Sequence, residues 1–299
     1  MDSILATGAD GLIGSRLGEL FADELSIDNL SLNTGVDITD ADQVEKRLSA
    51  NKAPVLIHFA AFTDTAGAAQ QDGDESGLCY QVNVIGTKNI AEACARHGKH
   101  LIHISTDFVF DGEKESAYTE DDEPNPIDWY GQTKYLAEQE VQKAGGQFTI
   151  ARLAYPYRAK FDGKMDYVAK VRQALTEGTL RPQFADTLFT PTFVDDIAQG
   201  LKLIADRKPT GIYHLTGSRA YSNYEAAVLI AQAYHLDDSK IARGSLEEYM
   251  KTPGARRFQR RLNISPAKFE AEFDYSMANL EEGLLHITEQ NDEQLNGLE

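Results

Sequence analysis

Basic residues are scarce in this chain: 29 lysines and arginines stand against 47 aspartates and glutamates, a formal net charge of −18 over 299 residues. Such a surface repels polyanions, which argues against nucleic acid and anionic membranes as main partners. It is also the kind of charge a saline habitat favours. Cysteine is almost missing. Cys79 and Cys94 are the only two, in helix-like surroundings and without metal-ligand spacing, so a disulfide scaffold is excluded and two reduced thiols in a cytoplasm are expected. Long apolar runs are absent as well, none approaching the roughly 18 residues of a membrane span. The opening Met1-Asp2-Ser3-Ile4-Leu5-Ala6 moves straight into a strand pattern with no basic n-region or cleavage-type site, and secretion is not expected. Internal repeats and low-complexity tracts are lacking too.

What is present is an ordinary globular composition, 42% hydrophobic and 25% charged, long enough for one large domain or two unequal ones. Short apolar runs at 4–6, 55–59, 101–104 and 148–151 read as buried parallel strands. Between them, 14–25, 41–50, 82–97 and 130–144 carry apolar residues at helical spacing, with Gly98 and Gly145 as stop signals. This alternation predicts an α/β fold, a doubly wound parallel (Rossmann) sheet, with a smaller C-terminal substrate-binding lobe. The expected boundaries are a dinucleotide-binding domain over 1–152 and a lobe mainly over 153–299. A helix at 194–205 and a strand at 212–215 make 189–216 a return passage to the first domain. The polar tail 289–299 is expected to fray.

Directly after the first strand stands Thr7-Gly8-Ala9-Asp10-Gly11-Leu12-Ile13-Gly14. Gly8, Gly11 and Gly14 permit a tight turn, close backbone approach to a pyrophosphate and close packing of the next helix. That helix's first amides suit an anion, so Asp10, Leu12 and Ile13 join the glycines as candidate cofactor contacts. At the end of the second strand, Ser31-Leu32-Asn33 offers neither an acid for a ribose hydroxyl nor an arginine for a 2′-phosphate, leaving NAD and NADP both open. Asp37 and Ile38 are candidates for the adenosine side, or else loop residues before the helix that Thr39-Asp40 begins.

The acid–base candidates are Ser105-Thr106 at a strand's C-terminal end and Tyr130-Gly131-Gln132-Thr133-Lys134. Four residues apart on one helix, Tyr130 and Lys134 share a face. An ammonium beside a phenol lowers its pKa toward neutrality, so Lys134 is expected to tune Tyr130 and to hold ribose hydroxyls. Thr106 would hydrogen-bond a substrate carbonyl that Tyr130 protonates.

With these residues in place the chain resembles the extended short-chain dehydrogenase/reductases, and within them the dTDP-4-dehydrorhamnose reductases. The resemblance rests on the glycine turn, in the GxxGxxG spacing, on Phe59-Ala60-Ala61, Asn83, Ser105-Thr106-Asp107-Phe108-Val109-Phe110-Asp111-Gly112, the Tyr130–Lys134 motif, and Arg152 with Pro191-Thr192. It covers roughly residues 1 to 200. It implies reduction of the 4-keto group of a nucleotide-linked sugar by NADPH or NADH. Catalytic roles fall to Thr106, Tyr130 and Lys134. Further cofactor contacts would be Ala60, Ala61, Phe62, Asn83 and Ser105; substrate contacts would be Thr106, Asp107, Phe108, Tyr155, Arg256 and Arg261. Related dehydratases carry Asp-Glu after the threonine, whereas Phe108 stands here in place of the Glu, which favours simple reduction over loss of water.

Departures bear on the sugar. Where the resembling reductases have a charged loop, this chain has Ala66-Gly67-Ala68-Ala69, and Tyr155, Thr187 and Phe189 replace their Trp, Gln and Gly. The run Arg256-Arg257-Phe258-Gln259-Arg260-Arg261 suits a diphosphate, or is a solvated surface stretch. His97, His100 and His103 straddle a helix end, a loop and a strand, so no metal site is expected. Two rival readings stay open: a non-catalytic cofactor-binding subunit like the partner of methionine adenosyltransferase, and a different extended short-chain epimerase or reductase. No nucleic acid or membrane partner is expected, and a homodimer is one option for assembly.

Overall fold

The computed structural model describes residues 2–296, with side chains as far as residue 290. Five strands of a six-stranded sheet come from the first half of the chain: β1 (Asp2–Thr7), β2 (Leu25–Leu30), β3 (Val55–His58), β4 (His100–Thr106) and β5 (Phe148–Leu153). The sixth, β6 (Gly211–Leu215), comes much later. Their order is β6-β5-β4-β3-β1-β2, with the β1–β2, β1–β3 and β3–β4 pairs parallel. The first crossover therefore runs one way from β1 and the second runs the other, opening a switch point outside the C-terminal ends of β1 and β3. Every residue of β3 is buried, the pattern of a strand covered on both faces.

The crossover helices are α1 (Leu12–Leu20), α2 (Ala41–Ala50), α3 (Thr87–Arg96) and α4 (Trp129–Lys143). Asp40 begins α2 by accepting from the Asp42 and Gln43 amides, and Asp128 begins α4 by accepting from Gly131. A π-helical stretch, Gln81–Gly86, leads into α3; such distortions favour functional sites.

Two compact units emerge. The first comprises residues 1–110, 123–152 and 198–213; the second comprises 111–122, 153–197 and 214–299. The first packs Leu5, Leu30, Val44, Leu56, Ile90, Leu101 and Ile150 into one core. It also buries an ion pair. Arg152 Nε and Nη2 reach Glu138 Oε1 and Oε2 at 2.9 and 2.7 Å, both residues 1% exposed, with the guanidinium over the Phe110 ring. The second unit is built on helices α5 (Tyr167–Glu177), α7 (Asn223–Ala233) and α8 (Leu280–Asn296), with two-stranded pairs between them. Its core joins Tyr157, Val171, Phe189, Tyr221, Ile230 and Leu284. The helix α6 (Val194–Arg207) begins in the second unit and ends in the first.

Two sequence expectations need correction. The helix expected over 14–25 ends at Leu20, and residues 25–30 form β2. As an edge strand it keeps Ser26, Asp28 and Asn29 away from the core, so its apolar signal is thin. The tail expected to fray from 289 continues α8 to Asn296, and residues 297–299 lie outside the described residues.

Candidate active site

The chain leaves β1 through a turn that only glycine allows. Gly8 has φ +66°, and a Cβ there would stand 3.0 Å from both the Cα and the N of Ala60, beyond β3. A Cβ on Gly14 would lie 2.7 Å from Ala9 Cα and 2.8 Å from its carbonyl oxygen. Gly11 precedes α1 with no side chain capping the helix, whose dipole favours an anion at this end. That cradle, at the switch point, fits the pyrophosphate of a dinucleotide. Asn29, at the end of β2, fastens the turn: its Oδ1 accepts from Ala9 N at 3.0 Å and its Nδ2 donates to Asp10 Oδ2 at 2.9 Å. Sequence reasoning passed over it, because an asparagine on a polar edge strand carries no motif.

The loop after β3 is held from two sides. Ala60 N donates to Thr7 Oγ1, and Phe62 N donates to Asn83 Oδ1 at 2.7 Å, while Asn83 Nδ2 reaches Thr133 Oγ1 at 3.0 Å. Asn83 is buried and ties the Ala60-Ala61-Phe62 loop to α4. Asp37 and Ile38 have local roles. The Asp37 carboxylate accepts from Thr39 N and Oγ1, and Ile38 packs in the core against Gly86.

At the end of β4 the structure brings Thr106, Asp107 and Tyr130 together. Thr106 Oγ1 donates to Asp107 Oδ1 at 3.1 Å, the Tyr130 phenol stands beside Thr106 and Asp107, and the Phe108 and Tyr130 rings meet edge to face at 5.6 Å. Ser105 faces the other way, as alternate strand residues must, and donates to Glu138 Oε1 at 2.5 Å.

Lys134 differs from expectation. Its buried ammonium donates to the Ile104 carbonyl at 2.7 Å, and burial pushes its pKa down to about 8 against the opposing pull of Glu138. Tyr130 is not lowered by it: burial foremost, and the Asp107 carboxyl next, push the phenol up. The four-residue spacing placed both groups on one helix, but the direction of the ammonium is set by a backbone carbonyl of β4.

The three histidines have separate surroundings. His97 bonds Glu45, His100 bonds Thr149, and His103 lies in the sheet against His58 with ring centroids 5.5 Å apart. Among the described residues no three metal-ligating side chains gather. Burial, then the Lys134 charge, hold His58 at about 3 and His103 well below its usual value.

In the second unit Tyr155 takes φ +39° and packs its ring on Phe189 at 4.7 Å and Tyr167 at 6.3 Å. Arg256 and Arg261 do not meet in one wall. Arg261, with Arg260 and Arg243, lines a cavity of about 380 Å³ that also borders Asp186, Thr187 and Ser222. Arg256 lies instead over the Phe258 ring. Gly112, the end of the Ser-Thr-Asp run, accepts Arg261 N at 3.0 Å. Arg243 was not foreseen; it stands alone in sequence.

A family model described as the RmlD substrate binding domain matches residues 1–292. A dTDP-4-dehydrorhamnose reductase of Aggregatibacter actinomycetemcomitans is 34% identical over 240 residues, 77% of this chain and 78% of that protein. A probable low-salt glycan biosynthesis reductase of Haloferax volcanii is 29% identical over 294 residues, covering 93% and 94%. Among solved structures, the dTDP-4-dehydrorhamnose reductase of Bacillus anthracis in complex with NADP superposes with a TM-score of 0.85 at 27% identity, over 97% of this chain and 99% of that one.

Proposed function

The chain belongs to the RmlD substrate binding domain family, and from that premise we propose that it reduces the 4-keto group of a nucleotide-linked sugar with NADPH. The carrying observation is the Tyr130 phenol set beside Thr106 at the C-terminal end of β4, in the same unit as a glycine turn shaped for a dinucleotide. In this reading the first unit takes the cofactor, at the start of α1 and along the Gly8–Ala60 approach. The bound dinucleotide supplies a hydride to the carbonyl carbon. Thr106 orients the carbonyl oxygen, Tyr130 gives it the phenolic proton, and the Lys134 ammonium holds positive charge beneath the site. The Arg243, Arg260 and Arg261 guanidiniums offer forks for diphosphate oxygens. A cytoplasmic setting belongs to the same proposal; among the described residues no helix is long and apolar enough to cross a membrane.

Purified protein mixed with NADPH and dTDP-4-keto-rhamnose is expected to lose the absorbance of the reduced cofactor as a 4-hydroxy sugar forms. No oxidation with that or any other 4-keto sugar nucleotide would remove the reading. A non-catalytic, cofactor-binding subunit is not favoured, since threonine, tyrosine and lysine are all in place. Within the same proposal, Gly14→Val forces its Cβ against the Ala9 backbone. If an overpacking cost of about 1–3 kcal/mol falls on the bound state, NADPH binding weakens roughly 5–150-fold. A fluorescence titration showing unaltered affinity would move the cofactor away from this turn.

A further inference from the structure

Thr106 has too few hydrogens for the work the site asks of it. A threonine hydroxyl has one hydrogen and two lone pairs. Here that hydrogen goes to Asp107 Oδ1 at 3.1 Å, and Phe108 N donates to the oxygen at 3.3 Å, with the Tyr130 phenol beside it. A hydroxyl so engaged has nothing to give a ketone.

We propose that Asp107 acts in its neutral form as a positioning residue, donating its carboxylic proton to Thr106 so that the Thr106 and Tyr130 hydrogens both turn to the substrate carbonyl. The count then closes. Asp107 O–H and Phe108 N–H fill the two lone pairs of Thr106, its own hydrogen is released, and the Tyr130 hydrogen is left for the carbonyl. No atom is transferred in this step; only hydrogen-bond direction changes. The inference rests on the reductase reading and adds a switch to it.

The surroundings of Asp107 suit a neutral acid. It is 2% exposed, and its Oδ2 is buried with no partner among the described residues. From α4 it is faced by the Asp128 carboxylate, which opposes ionisation, and by the Tyr130 phenol. The Lys134 ammonium on that helix is bonded to the Ile104 carbonyl, and Cys79 acts on Tyr130 as a further weak acid. Burial foremost pushes the Asp107 carboxyl up to about 7, against the lowering hydrogen bond from Thr106. Turnover therefore falls as pH rises through about 7, when the carboxylate takes back the Thr106 hydrogen.

An Asp107→Asn side chain is a permanent donor of the same shape. With saturating NADPH and keto sugar, kcat of Asp107→Asn is expected to stay flat with pH across the range where the parent declines roughly 10-fold or more. Asp107→Ala, with no donor, is expected to lose about 10–100-fold in kcat at every pH while KM moves less than about threefold. A dead Asp107→Asn protein with a native melting curve overturns the proposal, as does an Asn variant that keeps the parent's decline or an Ala variant that changes only KM. Independently of turnover, carbon-13 NMR of aspartate-labelled protein is expected to show one carboxyl titrating near pH 7 that is missing in Asp107→Asn. If every carboxyl titrates near 4, the switch is wrong whatever the enzyme reduces; if no keto sugar is reduced while the titration stands, only the reductase reading fails.

Discussion

A Tyr130→Phe protein is expected to bind NADPH as tightly as the parent and to lose about 10²–10⁴ in kcat, the usual worth of a positioned proton donor. The substitution removes one oxygen and leaves the ring, so the edge-to-face packing on Phe108 at 5.6 Å persists and little stability is at stake. What disappears is the hydroxyl beside Thr106. Burial and the Asp107 carboxyl keep the phenol protonated through the working range, which is the state an acid needs before it gives a proton away. Steady-state kinetics separate the roles. A fall confined to kcat marks the donor, whereas a variant within about threefold of the parent would place the acid elsewhere.

The second large effect concerns folding. Arg152→Leu leaves Glu138 buried at 1% exposure without its ion-pair partner, with the Ser105 hydroxyl as its remaining hydrogen bond among those described and the Lys134 ammonium as the nearby opposite charge. Breaking a buried pair in this way costs about 3–5 kcal/mol, a large part of the roughly 5–15 kcal/mol that holds a native protein together. The double replacement Arg152→Leu with Glu138→Leu is expected to recover much of that loss, because neither charge then needs solvation. Urea denaturation of the three variants is the measurement. Should Arg152→Leu cost less than about 1 kcal/mol, the pair is not the internal strut its geometry describes.

The parts of the site that were legible in sequence are those where a short motif and a backbone constraint coincide. The glycines of 8–14 could be read because each spacing answers to a close approach, to Ala60 at one end and Ala9 at the other. Thr106 and Tyr130 could be read because a strand end and a helix start are local events. Ser105 was grouped with Thr106 although strand alternation sends it to Glu138. Asn29 and Arg243 were not legible. One acts from a polar edge strand on a turn 20 residues earlier, and the other meets Arg260 and Arg261 only through tertiary folding. The heading of the Lys134 ammonium toward Ile104 likewise depends on how α4 lies on β4, which helical spacing cannot report. As for the fold, the parallel core strands were plain, and β2 was not, because an edge strand shows its polar side.

The two imidazoles sealed inside the sheet change how a kinetic titration of this enzyme should be interpreted. Histidine is the customary assignment for a limb near neutrality, yet His58 and His103 stay uncharged down to strongly acidic conditions. Within this site, an inflection around neutrality points to a carboxyl and an amine, at Asp107 and Lys134, the two residue types that an experimenter would ordinarily assign to the far ends of the scale.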